Sequence, residues 1–284
     1  MDTSANELCD LNRIANTIRK KVLKMVYLAQ SGHLGGSFSA IEIITALYFS
    51  EMKLDPKDPS RGDRDRFVPS KGHCAPAIYA ALALKGIIAV EDLDNLRQTG
   101  CFLQGHPCMN SVPGIDISTG SLGHGLSVGL GMALGARLKA QDFHTYVLLG
   151  DGELDEGQNW EAAMAAAKYR LSNLTAIVDR NRIQLDGFTE DIMPLEPLAD
   201  KWKAFNWTCF TVDGHDLAAL IETLRRARAG NEGPVVVIAN TIKGKGVSFM
   251  ENSHLWHGKP PTREEFEIAM AELGGDEEYG ALHA

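Results

Sequence analysis

The residues best suited to chemistry lie in the stretch Tyr146-Val-Leu-Leu-Gly-Asp-Gly-Glu-Leu-Asp-Glu-Gly157 and in the residues after it as far as Asp186-Gly187. Asp151 offers a hard anionic oxygen, and Asn181, at the end of the next apolar run, a neutral one. With a backbone carbonyl near Ile183 they suit an octahedral Mg²⁺ that keeps positions for phosphate oxygens and water. Ca²⁺ or Mn²⁺ could use the same oxygen set. Gly150 and Gly152 flank the carboxylate and leave room for a diphosphate to approach the backbone. A Gly-Asp-Gly triplet alone is an ordinary turn. The same triplet at one strand end, with an asparagine at the next, describes a ligand site.

The elements that must hold these residues can be read around them. Tyr146 to Leu149 is apolar and long enough for a buried parallel strand. Glu156 to Lys168 reads as a helix with Trp160, Ala163, Met164 and Ala167 on one face, and Leu174 to Val178 as a second strand ending in Asp179-Arg180-Asn181. In open α/β sheets ligands bind at the carboxyl ends of strands, which is where Asp151 and Asn181 fall.

At 284 residues and 44% hydrophobic, the chain can bury a large core. A net charge of −9 argues against nucleic acid as a partner, so a bound diphosphate would be met through a metal and neutral donors. The start shows no basic-then-apolar signal pattern, and no apolar run reaches membrane-spanning length. The five cysteines, Cys9, Cys74, Cys101, Cys108 and Cys209, form no CxxC pair and read as reduced thiols in a cytoplasmic protein.

Along the chain, Ser4-x-x-Glu7 reads as a capping box for a helix carrying Leu8, Leu11, Ile14, Ile18, Val22, Met25 and Ala29. Ser39-x-x-Glu42 reads as the cap of a second helix through Phe49. Asp55 to Arg66 reads as a solvated loop, Ala75 to Lys85 as a helix, and Gln98 to Gly114 as a loop. Thr119 to Leu126 opens a helix to about Lys139, whose Gly125, Gly129, Gly131 and Gly135 suit close packing of another backbone. Thr208 to Val212 and Pro234 to Ala239 read as strands, Asp216 as the cap of a helix to Arg228, and Thr262-x-x-Glu265 as the cap of a last helix before a frayed acidic tail. The pattern predicts one doubly wound, mostly parallel α/β domain over residues 1–284 with helices on both faces. Within it, 1–50 forms a helical extension and 262–284 a C-terminal helix and tail.

Seven motifs then fall into one series: Ser31-Gly-His33-Leu-Gly, Ser70-Lys-Gly-His73, Gly105-His106-Pro107, Gly120-Ser-Leu122-Gly-His-Gly125, Gly150-Asp151-Gly152, Asp179-Arg-Asn181-Arg-Ile183 and His254-Leu-Trp-His257-Gly. Their order and spacing resemble the N-terminal, diphosphate-binding region of transketolase, over nearly the whole chain. The resemblance implies thiamine diphosphate and a divalent metal as cofactors, the metal held by Asp151, Asn181 and the Ile183 carbonyl. It places Gly152, His73 and His257 on the diphosphate, Gly120 and Leu122 against the cofactor's rings, and Leu185 near the thiazolium. His33, His106 and His257 would face the ketose and donate to its hydroxyls and developing alkoxide.

Two departures bear on substrate details: His124 stands where the family usually has Gln, in Gly-Ser-Leu-Gly-His-Gly, and Leu34 where it commonly has Pro. A histidine taken singly is a core or surface residue, and His124, His144 and His215 keep that reading. Lys243 and Lys245 read as solvated loop charges in preference to phosphate ligands. Glu156 and Glu161 match acidic residues at the family's dimer interface, or form a solvated helix face.

Thiamine chemistry also needs a carboxylate that activates the aminopyrimidine ring. In transketolases that glutamate, with the arginines that grip sugar phosphate, sits on a second, pyrimidine-binding domain. The resemblance therefore implies the N-terminal subunit of a split transketolase, working with a C-terminal subunit as an α2β2 assembly on sugar phosphates. Three alternatives stay open: a subunit of another thiamine-diphosphate enzyme, a non-catalytic cofactor-binding module, and transketolase chemistry on a branched or sulfonated ketose.

Overall fold

The computed structural model describes residues 3–230 and 232–275, so the tail expected to fray lies outside the described residues. In chain order the strands are β1 (Arg66–Pro69), β2 (Thr145–Gly150), β3 (Leu174–Arg180), β4 (Ile183–Gln184), β5 (Gly187–Phe188), β6 (Thr208–Asp213) and β7 (Val235–Asn240). Five of them make one parallel sheet in the order β1-β2-β3-β7-β6, while β4 and β5 form a separate antiparallel hairpin. The chain lays β1, β2 and β3 side by side, moves to the far edge for β6 and returns to place β7 against β3. Register levels the carboxyl ends: Gly150 pairs with Asp179, and Asp179 with Ala239.

The helices are α1 (Ala5–Ala29), α2 (Gly35–Ser39), α3 (Ile41–Ala46), α4 (Ala75–Leu84), α5 (Gly125–Leu138), α6 (Gly157–Lys168), α7 (Thr189–Ile192), α8 (Leu198–Ala204), α9 (Leu217–Ala229) and α10 (Arg263–Glu272). They cover both faces of the sheet. Successive strand side chains point to opposite faces, so β2 sends Tyr146 and Leu148 into the core under α1, α3, α4 and α9. Val147 and Leu149 enter the second core, with α5, α6 and Trp202 of α8.

Local signals explain much of this. Ser4 accepts from the Glu7 amide at 3.2 Å and starts α1, Asp216 accepts from Ala219 at 3.1 Å and starts α9, and Thr262 with Glu265 closes a reciprocal box at α10. The glycines of α5 divide in two: a Cβ at Gly125 or Gly129 would run into Ser70 or Val147, whereas Gly131 and Gly135 face open space.

Three local expectations fail. Ser39 caps nothing, because it lies inside α2 and its hydroxyl donates to Asp179 at 2.6 Å. The loop from Asp55 is not solvated throughout: Arg64 and Asp65 are buried, Arg64 forking onto Asp116 at 2.7 and 3.0 Å. On α6 the buried face is Asn159, Ala162, Ala163 and Ala166, which leaves Met164 exposed. In place of the wide apolar face expected there, small alanines let the helix lie close on α5.

Candidate active site

The carboxyl ends of β1, β2, β3 and β7 open into a cleft lined by Lys71, His73, Asp151, Asn181, Lys243 and His257 among others. Strand geometry places its charges, because each residue just past a strand end is the first the sheet no longer pairs. Lys71 follows β1, and its ammonium donates to the Gly36 carbonyl at 2.8 Å and pairs with Asp179. Asp179 also accepts from Ser39 and Thr241. Burial works against the Lys71 ammonium, and the Asp179 carboxylate more than offsets it.

Asp151 is buried at the end of β2, taking the Gly152 amide at 2.8 Å, the Arg182 amide at 2.5 Å and the Arg180 guanidinium at 3.1 Å. Burial and the nearby Asp179 charge push its carboxyl up, so a further cation would relieve it. Asn181 turns its amide oxygen to the Ile183 amide at 3.1 Å. The Ile183 carbonyl accepts from Lys243 Nζ at 3.2 Å.

Four histidines meet beside these groups. The His33 ring lies 5.4 Å from His73, 6.1 Å from His106 and 5.3 Å from His257, and His73 lies 5.2 Å from His257, centroid to centroid. They come from four separate segments, before α2, after β1, in the long loop before α5 and before α10. Burial first, and neighbouring cations second, keep them neutral: His33 is lowered to about 4 and His257 to about 3, with His73 and His106 also lowered. Neutral imidazoles can both donate to a hydroxyl and receive a proton.

Lys243 does not fit the expectation of a solvated loop charge. It is buried, donates to Ile183 and lies 3.0 Å from His257 Nδ1, and burial lowers it to about 8. His215 holds this loop: one ring nitrogen takes the Ile242 amide at 2.8 Å, and the other contacts Glu42 at 2.9 Å, itself paired with Arg19 at 2.6 Å. The structural reading of His215 thus carries a positional consequence for Lys243. His144 packs under the sheet against Thr175 at 2.8 Å, and His124 is exposed near the Leu122 carbonyl. Lys245 is half-buried, 3.5 Å from Glu251.

Of the remaining predicted residues, Gly152, Leu122 and Leu185 line the cleft and Gly120 stands against His106. Gly152 lines the cleft, where a Cβ would lie 2.5 Å from Gln184. Gly120 has φ +134 and carries no Cβ because His106 Cδ2 would lie 2.8 Å away. Leu122 and Leu185 form part of the wall while remaining 37% and 63% exposed, an apolar rim with an open outer side. Glu156 and Glu161 are exposed on the start of α6.

Sequence reasoning passed over Lys71, Asp179 and Glu153. Glu153 is buried, accepts from Ser70, from Gly123 at 2.9 Å and from Gly150 at 3.0 Å, and so ties together three loops of the cleft. The one available signal was position: Lys71 and Asp179 each stand at the end of an apolar run.

The donor set suits a diphosphate and one hard divalent ion. Two buried ammonium groups would meet phosphate charge, and one carboxylate with amide and carbonyl oxygens would meet the metal. Among the described residues no group of three or more His, Cys, Asp or Glu could by itself hold a metal ion.

Comparison with known proteins gives this arrangement its family. The family model described as transketolase, thiamine diphosphate binding domain, matches residues 11–280. The chain belongs to the transketolase family. It is 48% identical over 255 residues to an apulose-4-phosphate transketolase subunit of Phocaeicola vulgatus, covering 90% of each chain. It is 47% identical over 264 residues to 6-deoxy-6-sulfo-D-fructose transketolase subunit SqwG of a Clostridium species, covering 93% of this chain and 96% of the other. Human transketolase is 38% identical over 268 residues, 93% of this chain and 42% of that one. Among solved structures, transketolase from Campylobacter jejuni superposes with a TM-score of 0.89 at 33% identity, over 94% of this chain and 43% of that one. The chain thus matches whole subunits of some family members and less than half the length of others.

Proposed function

We propose that this chain is the cofactor-binding half of a two-subunit transketolase, moving a two-carbon ketol unit from a ketose to an aldose acceptor. The observation that carries this reading is a cluster of four histidines, two of which, His73 and His257, line a cleft whose other walls hold Asp151, Asn181 and two buried lysines. Thiamine diphosphate, when bound, supplies a nucleophilic carbon and an electron sink that let a carbon–carbon bond next to a carbonyl break and reform. Asp151, Asn181 and the Ile183 carbonyl would hold its Mg²⁺, with Lys71, Lys243, His73 and Gly152 on the diphosphate and Leu122 and Leu185 against the rings. His33, His106 and His257 donate to the sugar's hydroxyls and to the alkoxide that develops as the bond breaks.

A second subunit would complete the site with the pyrimidine-binding domain and activating glutamate, two copies of each chain making the enzyme. The exposed rim of Leu122 and Leu185 supports a covering partner. All five cysteines are free, and among the described residues no helix is long and apolar enough to cross a membrane, which supports a cytoplasmic enzyme.

The identities of 48% and 47% to subunits named for apulose 4-phosphate and for 6-deoxy-6-sulfo-D-fructose favour a branched or sulfonated ketose as the donor. An ordinary ketose phosphate is the other donor this reading admits. The test is to assay the assembled pair against a donor panel of ordinary, branched and sulfonated ketoses. Turnover of one class above the rest assigns the donor, and a pair that binds cofactor but turns over none removes the transketolase reading.

A further inference from the structure

Arg97 joins the two segments that carry His33 and His106. Its backbone is left-handed, at φ 60, and its amide is anchored on the Leu103 carbonyl at 2.9 Å. The guanidinium donates through Nη1 to Ser31 Oγ at 2.8 Å and through Nη2 to the Gly105 carbonyl at 3.4 Å, and Nη2 stands 3.5 Å from His33 Nδ1. One side chain thereby spans Ser31-Gly32-His33, ahead of α2, and Gly105-His106, in the loop ahead of α5. The fit is close: a Cβ at Gly105 would lie 2.7 Å from the guanidinium carbon.

A guanidinium has donors and no acceptor, and it does not give up its proton in a protein. The ring nitrogen it faces must therefore be the unprotonated one. In a neutral His33 that leaves the proton on Nε2, the nitrogen still free for a ligand. We propose that Arg97 is the positioning residue of the sugar end of this site, fixing the spacing of His33 and His106 and holding His33 as an Nε2–H donor. The proposal rests on the reading that these two histidines face the ketose, and it adds how they are set.

Charge supports the geometry. Behind burial, Arg97 is the leading cause that lowers His33, ahead of His106, Lys243 and Lys71, and it also lowers His106. The rings of His73 and His257 complete the surroundings of His33.

The test has an arm that needs no turnover. The full chain is labelled with ¹⁵N-histidine, and the His33 signals are assigned with a His33→Gln variant. In the wild-type chain Nδ1 should resonate as an unprotonated and Nε2 as a protonated nitrogen. In Arg97→Met the two should shift toward a tautomer mixture, and His33 should titrate closer to 6.5. Arg97→Lys keeps the charge and loses the fork, so it should keep the low titration and lose the single tautomer.

In the assembled enzyme, Arg97→Met should cut kcat/KM for the ketose donor by up to about a hundredfold, the scale of a misplaced catalytic group, while cofactor affinity holds. Should Arg97→Met fail to fold, Ser31→Ala frees one end of the guanidinium and should move the same spectrum in the same direction. An unchanged His33 spectrum in whichever variant folds, or a loss of cofactor affinity equal to the loss of turnover, overturns the proposal. An assembled wild-type enzyme with no ketol transfer would sink the functional reading instead, and the spectrum would still decide the role of Arg97.

Discussion

Two buried polar clusters lie at opposite ends of the same three strands, and they are built differently. Where β1, β2 and β3 begin, each carboxylate meets a guanidinium fork. Arg64 pairs with Asp116 at 2.7 and 3.0 Å, and Arg228 with Asp65 at 2.6 and 3.2 Å. Asp65 also takes the Lys53 and His144 amides, both at 2.8 Å, which pins two loops to the sheet. Where the strands end, Lys71 and Asp179 make one tight buried pair, and the groups around it are less well matched. The Lys243 ammonium rests on a carbonyl and an imidazole, Asp151 is pushed up, and the histidines are held neutral beside cations. His144 makes the contrast plain, because burial lowers it to about 4, the same value as His33. A lowered imidazole therefore marks no site by itself. A site shows instead as a set of imidazoles and an ammonium left facing a cleft, stability given up for a ligand.

Substitution can break this contrast, and the largest effect should fall on Asp151. Asp151→Ala removes the only charged metal ligand proposed and should abolish metal-dependent cofactor binding in calorimetry on the assembled enzyme, with Asn181→Ala weakening it less. At the other end, Asp65→Ala should leave cofactor affinity intact and cost about 3 kcal/mol of stability, because Arg228 would lose its partner. Asp151→Ala binding cofactor normally would remove the metal assignment.

His106→Ala comes next. Turnover should fall roughly ten- to a thousandfold, the range of a lost transition-state donor or proton shuttle, with cofactor affinity barely changed. Steady-state kinetics beside calorimetry separates the two, and equal losses would make His106 structural.

A smaller and oppositely signed pair of effects belongs to Lys243. Lys243→Met should weaken cofactor binding by about ten- to a hundredfold, the scale of one charged hydrogen bond, yet raise the melting temperature of the unliganded chain. The sign follows from its pKa of about 8 against an ordinary 10.5. The fold disfavours the ammonium, so removing it relieves the unliganded state. A lower melting temperature would show the ammonium to be satisfied in the free chain.

The last effect is acid lability. His33, His144 and His257 are lowered to about 4, 4 and 3 from 6.5. Below 6.5 the unfolded chain binds protons that the folded chain refuses, so stability rises with pH there and is lost as pH falls from about 6.5 toward 4. Thermal melts across that window should show it, and His144→Gln should flatten the slope without touching cofactor affinity. A slope unchanged by His144→Gln would remove His144 from the account.

The strand ends were legible in the sequence because an apolar run that stops at Gly-Asp-Gly or Asp-Arg-Asn announces both the strand and its polar end. The histidines were legible only as a series, since four separate segments bring them together and no spacing along the chain reports that. Lys243 was misread for the same reason: its glycine-rich surroundings look like an exposed loop, and its burial comes from α2, β4 and His257 packing around it. Ser39 shows local chemistry overruled. Its spacing to Glu42 satisfies a capping box, but Asp179 and Arg19 claim the two side chains first. Lys71, Asp179 and Glu153 act by pairing across the sheet, a relation a linear reading does not contain.

The central claim is that this chain holds half of an active site and needs a second polypeptide to finish it. The most direct test measures ketol transfer and cofactor binding on the purified chain, then repeats both after adding the partner subunit. The expected result is weak cofactor binding and no transfer from the chain alone, with both restored in the pair. Two-carbon transfer by the purified chain, with no second polypeptide detectable by mass spectrometry, would contradict it.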